Sequence, residues 1–596
     1  MRPVSTMVKP SADAERAPFR AGDGTRDGAR WLIVSGYLLG ALLVTARLWA
    51  DPSGRMPAAN GGDTGLFDWW LRYAATAVAH GRLPALVTTA LNAPHGVNLM
   101  WNTPYLLPGV LLSPVTLLAG PQASLTVVIT LGFAGSAAAL FWVLRRCGAS
   151  LTAAGLGGAV YGFSPALVDA GFGHYNFQFA VLPPLMVHAL LLIATGRGRP
   201  VRTGAGLGLL AAAQLFIGSE LLLDTGLAGV VLLAVLAAGH RRAVAARTRN
   251  TALGLGAATA VMLLICWYAL WVQFYGPFTE RYTLPSPWYG NVRLFVTPPG
   301  TLLFHTAASA AYDRGFSLGI PEVLAYLGWP LLVVLVVAAI WFWRDQKVRA
   351  AAVTWAVLEL LALGGGAPRV GGAIVPAWLL PYHWLQGLPV LGELLPNRFS
   401  ILADGAAAAA LAVALDRARA AATQSEAWGR RCAGIPALVA VLAVLPLVPL
   451  PYQAAPLAPV PAGWRLAFDR LRLPPGVHVL VIPISAVGND RSMIWAAQTG
   501  QPSSMVGGYF IGPEPDGQPT FNPGPAHWAA RYLRRVQAGR TQPGPTALAR
   551  LRGDLAYWHP AAVVAVTSQA SALARVLTGL LGPPTFRAGR VLAWRR

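Results

Sequence analysis

Residues 104–118 read PYLLPGVLLSPVTLL, and whether this run crosses a membrane decides the orientation of everything that follows it. The run is apolar, but prolines at 104, 108 and 114 interrupt it, and a proline inside a helix removes a backbone hydrogen bond and collides with the preceding turn. On either side lie eleven apolar segments: 31–50, 122–143, 151–165, 177–195, 203–218, 221–239, 251–274, 321–343, 350–364, 399–415 and 432–451. Counting 104–118 would make twelve crossings.

Positive charge in short loops arbitrates, because Lys and Arg concentrate on the cytoplasmic side. With 104–118 left out, five clusters fall on the side of the N-terminus: Arg145/Arg146, Arg197/Arg199/Arg202, Arg241/Arg242/Arg247/Arg249, Arg344/Lys347/Arg349, and Arg417/Arg419/Arg430/Arg431. With it counted, all five would be outside. The run is therefore expected to be an interfacial or re-entrant element.

The resulting fold class is an α-helical polytopic membrane bundle of about eleven transmembrane helices plus a C-terminal soluble α/β domain. Residues 1–30 are polar and mixed in charge and read as a disordered cytoplasmic tail. Residues 31–451 form the membrane part, with large outer loops at 51–121, 275–320 and 365–398. The first run, 31–50, has no small-residue cleavage signature after it and reads as a retained span. Residues 455–596 form the extracytoplasmic domain, with strands at Val477–Ile484, Ala561–Val566 and Arg590–Trp594, helices at 526–538, 546–557 and 571–581, and a Gly/Pro-rich loop at 498–525. The expected location is the cell membrane, multi-pass, with membrane lipids around it.

Composition agrees. Of 596 residues, 55% are hydrophobic and only 12% charged, whereas soluble chains carry about a quarter charged residues. The formal net charge of +22 sits in short clusters between apolar runs or in the tail, which excludes a continuous nucleic-acid-binding face. Cys147, Cys266 and Cys432 have neither disulfide nor metal spacing. GxxxxGK[ST] and HExxH motifs are absent, so a P-loop pump and a zinc hydrolase are not indicated.

The chemistry-bearing residues gather in the outer loops. In GGDTGLFDWWLRYAATAVAHGRLP, residues 61–84, Asp63 and Asp68 flank an aromatic cluster, and Trp69 to His80 has the pattern of an amphipathic surface helix. A carboxylate beside a low-dielectric wall can act as a general base or hold a divalent metal. The plainer alternative is that Asp63 caps the helix and Asp68 is solvated. Glu220 and Asp224, in IGSELLLD, and Asp169 and His174, in VDAGFGHYNFQ, occupy turns on the same side. Glu359 lies deeper, where an Arg could pair with it. Arg398, and less so Arg72 and Arg82, could grip a phosphate, since guanidinium donors match phosphate oxygens; snorkelling to headgroups is the alternative. Glu280, Arg281, His305, Asp313 and Arg314 could line a cavity in the 275–320 loop.

The order of these features resembles the GT-C superfamily of membrane glycosyltransferases: a first span, an outer loop opening on an acid, a surface helix ending in Gly81-Arg82-Leu83-Pro84, a Pro-led run Thr103-Pro104-Tyr105-Leu106-Leu107, and a span ending in Arg145-Arg146. Stretches such as LNAPHGVNLMWNT, YGFSP…GHYNF and WAAQTG…GGYFIGP look most like actinobacterial members. The resemblance implies a catalytic base at Asp63, a polyprenyl-phosphate sugar donor, a lipid, glycan or protein acceptor, and chemistry on the outer face. It leaves Asp68, Glu220 and His174 as candidate catalytic or metal partners, and Arg398 and Arg72 as donor-phosphate ligands. One departure is that Thr64 follows Asp63 where many relatives place a second acid, which leaves open a divalent metal and its ligands. The rival class is a transporter or flippase of lipid-linked precursors, against which stands the lack of broken, charge-lined spans in paired halves. A non-catalytic membrane scaffold is the third reading.

Overall fold

The computed structural model describes residues 24–58, 61–103, 105–239, 241–279, 290–316, 325–366, 369–370, 373–424, 434–500, 503–514 and 516–596. Most of the 1–30 tail, Pro104, Glu280, Arg281, Arg430, Arg431 and Cys432 lie outside the described residues, as do the side chains of Arg241, Arg242, Asp313 and Arg314.

Each expected span is built on a helix, from Gly24–Val44 through Pro121–Arg146, Ser219–Gly239, Arg241–Tyr275 and Phe399–Gln424 to Ile435–Val444. Among the described residues, six helices are long and apolar enough to cross a membrane, and Leu182–Thr195, Trp329–Trp341 and Ile435–Leu447 are shorter apolar helices. Small residues let these helices touch, as is usual where lipid supplies no hydrophobic drive between them. A Cβ on Gly162 would lie 2.4 Å from that of Ala137, and one on Gly204 would lie 2.0 Å from the Gly254 carbonyl oxygen. The pairs 121–146 with 151–162 and 200–215 with 241–275 are thereby locked at backbone contact.

Residues 105–119 do not form one continuous helix. They make two short helices, Leu106–Leu111 and Ser113–Ala119, broken at Leu112. Pro114 opens the second, where its missing N–H costs nothing. Each is about 10 Å long at 1.5 Å per residue, and Leu111, Leu117 and Leu118 are left exposed.

The basic loops meet at one end of the bundle. Lys347 Nζ donates to the Cys147 carbonyl at 2.8 Å, Arg417 Nε to Asp345 Oδ2 at 2.6 Å, and Arg419 Nη1 to Thr152 Oγ1 at 2.6 Å. The opposite end carries the 55–103 region and the C-terminal segment. Strand Arg55–Pro57 pairs antiparallel with Ala454–Pro456, which leads out of the last membrane helix.

The C-terminal segment is built on a mixed five-stranded sheet, ordered Phe586–Ala588, Val591–Arg595, Ala562–Val566, His478–Ile482, Ser504–Met505. The central strands Ala562–Val566 and His478–Ile482 run parallel and are buried on both faces. Helices Pro525–Gln537, Pro545–Trp558 and Ala572–Leu581 cover one face. The other face packs with Trp464–Leu471 and Arg491–Thr499 against the Gly61–Ala79 helix.

That last contact corrects one expectation. Around its middle the Gly61–Ala79 helix does not face water, because the C-terminal segment covers it; Asp68, Trp69, Trp70 and Leu71 are buried, while Thr76 further along stays exposed.

Candidate active site at the covered end of the bundle

Asp63 stands in the first turn of its helix, where the free N–H groups and the dipole favour an anion. Its neighbours come from distant parts of the chain. Tyr509 donates its hydroxyl to Asp63 Oδ1 at 2.8 Å, and His174 Nε2 lies 3.4 Å from Asp63 Oδ2. Burial by itself would raise the Asp63 carboxyl. The hydrogen bond and charge of His174, the Tyr509 hydroxyl and the Arg398 charge outweigh burial and hold it below the usual carboxylate range. The carboxylate is thus ionised, largely buried and aimed.

His174 reaches this place from the turn after Pro165–Ala170, a helix capped by Ser164. Next to it, Tyr175 shares a hydrogen bond with Thr64 at 2.8 Å, and Phe67 packs edge-on against Tyr105 and Tyr175 at 5.1 and 5.0 Å. This aromatic wedge fixes the helix bearing Asp63 against the 163–178 turn.

Arg398 closes the other side. It ends the Pro396–Arg398 turn before the Phe399–Gln424 helix, and its guanidinium lies over the Phe177 ring at 4.3 Å. Glu220, at the start of Ser219–Gly239, forms an ion pair with Arg398 and accepts from the Leu395 N–H at 2.9 Å. Both partners are largely buried, so solvent screens the pair weakly. Asp224 lies one turn further along the same helix and is fully buried.

Four residues singled out from sequence therefore converge: Asp63, His174, Glu220 and Arg398. Asp68 and Arg72 do not join them. Asp68 is fully buried; burial, reinforced by Asp490 and opposed by Arg72, raises its carboxyl well above the usual range. Arg72 Nε is engaged with the Ala497 carbonyl at 2.6 Å, on the seam with the C-terminal segment. Asp169 accepts from Thr301 at 2.7 Å, and Glu359 is bonded by Ser400 at 3.3 Å in place of an Arg. Among the described residues no group of three or more His, Cys, Asp or Glu is placed to hold a metal ion; Asp68, the nearest second acid in sequence, is turned away from Asp63.

Two neighbours of Asp63 escaped the sequence reading. Tyr509 lies in GGYFIGP, and Asp490 precedes the Arg491–Thr499 helix. The Asp490 carboxylate sits against Gly65, where a Cβ would come within 2.0 Å of its Oδ2. Burial first, and then Asp63, push its carboxyl up to about 7, against the Gly65 N–H and other donors that lower it. The glycine pair before Tyr509 was the one available signal.

The sequence matches no protein-family model and no curated protein. Among solved structures, a point variant of the arabinofuranosyltransferase AftD from mycobacteria aligns with a TM-score of 0.50 and 14% identity, over 96% of this chain and 42% of its own. The oligosaccharyltransferase AglB from Archaeoglobus fulgidus, solved with an inhibitory peptide and a dolichol-phosphate, aligns at 0.45 with 11% identity, over 93% of this chain and 71% of its own. ArnT from Cupriavidus metallidurans aligns at 0.44 with 13% identity, over 96% and 98%. The chain spans 40% and 42% of the length of two AftD structures. On the alignment at 0.50, the chain has the fold of the GT-C membrane glycosyltransferases.

Proposed function

We propose that this protein is a membrane glycosyltransferase that moves a sugar from a polyprenyl-phosphate donor to a hydroxyl on a lipid, glycan or protein acceptor. Asp63 takes the proton of the acceptor hydroxyl as its oxygen attacks the anomeric carbon. The bond from that carbon to the phosphate oxygen breaks, and polyprenyl phosphate leaves. Arg398 stabilises the charge that develops on the phosphate, with Glu220 fixing its orientation. His174 keeps Asp63 ionised and oriented.

The observation that carries this reading is the convergence of an ionised, largely buried carboxylate with a buried guanidinium at one end of a GT-C fold. The fuller reading has eleven crossings, a cytoplasmic N-terminus and a C-terminal domain outside the cytoplasm in the cell membrane. The clustering of basic loops at the opposite end supports that orientation.

The test is transfer of a labelled polyprenyl-phosphate sugar in membranes. Asp63→Asn is expected to lower transfer about 10²–10⁴-fold, the usual contribution of a general base. Full transfer by that variant would overturn the assignment. Movement of the labelled lipid between leaflets without a glycosylated product would favour a flippase instead.

A further inference from the structure

Residues 63 and 509 lie far apart in the chain, yet the Tyr509 hydroxyl meets Asp63 directly. The placement is built from many bonds. Backbone N–H groups of Asn92 and Ala93 donate to the Gly507 and Met505 carbonyls at 2.9 Å each, and the Met505 N–H donates to the Ala90 carbonyl at 3.0 Å. Asn102 clasps the Ile511 backbone from both sides, at 2.8 and 2.6 Å. The Tyr509 N–H points to Met493 Sδ at 3.2 Å, and its ring stacks on Phe521 at 5.8 Å. The segment is added like an extra strand to the 90–102 loop. A tyrosine kept only for packing needs no hydroxyl aimed at a carboxylate; this one sits opposite His174 across Asp63, so the two grip different oxygens.

We propose that Tyr509 is a positioning residue for sugar transfer: from the C-terminal segment it orients the Asp63 carboxylate, so the site is complete only while that segment is docked. This rests on the reading of Asp63 as the base. Among the described residues, the groups facing Asp63 include His174 from the 171–175 turn, Arg398 from the turn before the Phe399–Gln424 helix, Tyr509, and Asp490 across Gly65; Tyr175 stands behind Thr64. Tyr509 is among the groups that lower the Asp63 carboxyl. Without its hydroxyl that carboxyl rises, and the acid limb of kcat/KM moves to higher pH.

The experiment compares Tyr509→Phe with wild type, using the full chain in membranes and the same labelled-donor assay. Phenylalanine keeps the ring and the Phe521 stack. The expected result is a fall in kcat of about tenfold, as for one hydrogen bond to a charged group, with both KM values within about twofold and the acid limb displaced upward in pH. Tyr557→Phe, which removes a contact to His95 Nδ1 at 2.6 Å on the same seam, is expected to change none of these. Should Tyr509→Phe fold poorly, 3-fluorotyrosine at 509 supplies a stronger donor in the same ring and should move the acid limb downward. An unmoved limb in either variant, or a rise in acceptor KM at constant kcat, overturns the proposal. Asp63→Asn run alongside separates the two readings. If it stays active, the base assignment fails and this proposal with it; if it is inactive while Tyr509→Phe equals wild type, only the role of Tyr509 fails.

Discussion

Asp490 is the residue whose behaviour with pH is most open to measurement. A free aspartate titrates at about 3.9, while this one, buried beside Asp63, is pushed up to about 7. Its folded pKa is raised, so the stability it lends is fully present below about pH 4 and is lost as the pH rises to about 7, where the folded carboxyl must ionise without water. Asp63 has the opposite sign: its carboxyl is lowered, so its contribution is present above the usual range and fades on acidification. Asp490→Asn is expected to raise the melting temperature at pH 8 and to flatten its decline between pH 4 and 8. A variant that melts in parallel with wild type across that range would refute this. Asp68 adds to the same trend, so the flattening is partial.

At the scale of elements, the segment 503–511 depends on glycine. Gly507 has φ +71° and Gly508 has φ +149°, a backbone that side-chain-bearing residues rarely adopt, and a Cβ on Gly508 would lie 2.5 Å from Leu91 Cδ1. Gly508→Ala is therefore expected to weaken docking by about 1–3 kcal/mol, the usual cost of such strain. Hydrogen exchange would show this as faster exchange at Asn92, Ala93 and Met505, with the membrane helices unchanged. Other elements were plain in the sequence. The strand expected at Val477–Ile484 is His478–Ile482, that at Ala561–Val566 is Ala562–Val566, and the helix at 571–581 is Ala572–Leu581. Each has a local period of two or 3.6 that neighbours reinforce. The break in the run at 105–119 was legible from its prolines, which interrupt a helix locally. What was not legible was the cover over Gly61–Ala79: an amphipathic helix shows the same pattern whether water or another segment meets its polar face.

The molecule as a whole places its basic loops at one end and the candidate site at the other. That separation predicts side-specific labelling. In a cysteine-free background, Leu83→Cys and Val487→Cys, both at exposed positions, should react with an impermeant reagent from the same side. Arg146→Cys should react from the opposite one. Labelling of Val487→Cys together with Arg146→Cys would overturn the orientation, because strand Arg55–Pro57 pairs with Ala454–Pro456 and leaves no room for the two segments to part.

The sequence by itself determined which segments are apolar enough to enter a bilayer, which loops carry positive charge, and that Asp63, His174, Glu220 and Arg398 belong to one face. Hydropathy and charge are summed locally, and the bilayer reads them segment by segment. Only the tertiary structure decided that Asp68 is buried away from Asp63, that Arg72 bonds Ala497, and that Tyr509 and Asp490 come to the site. Those outcomes depend on how the C-terminal segment docks on the Gly61–Ala79 helix, a contact between surfaces more than 400 residues apart in the chain, with no local period to announce it.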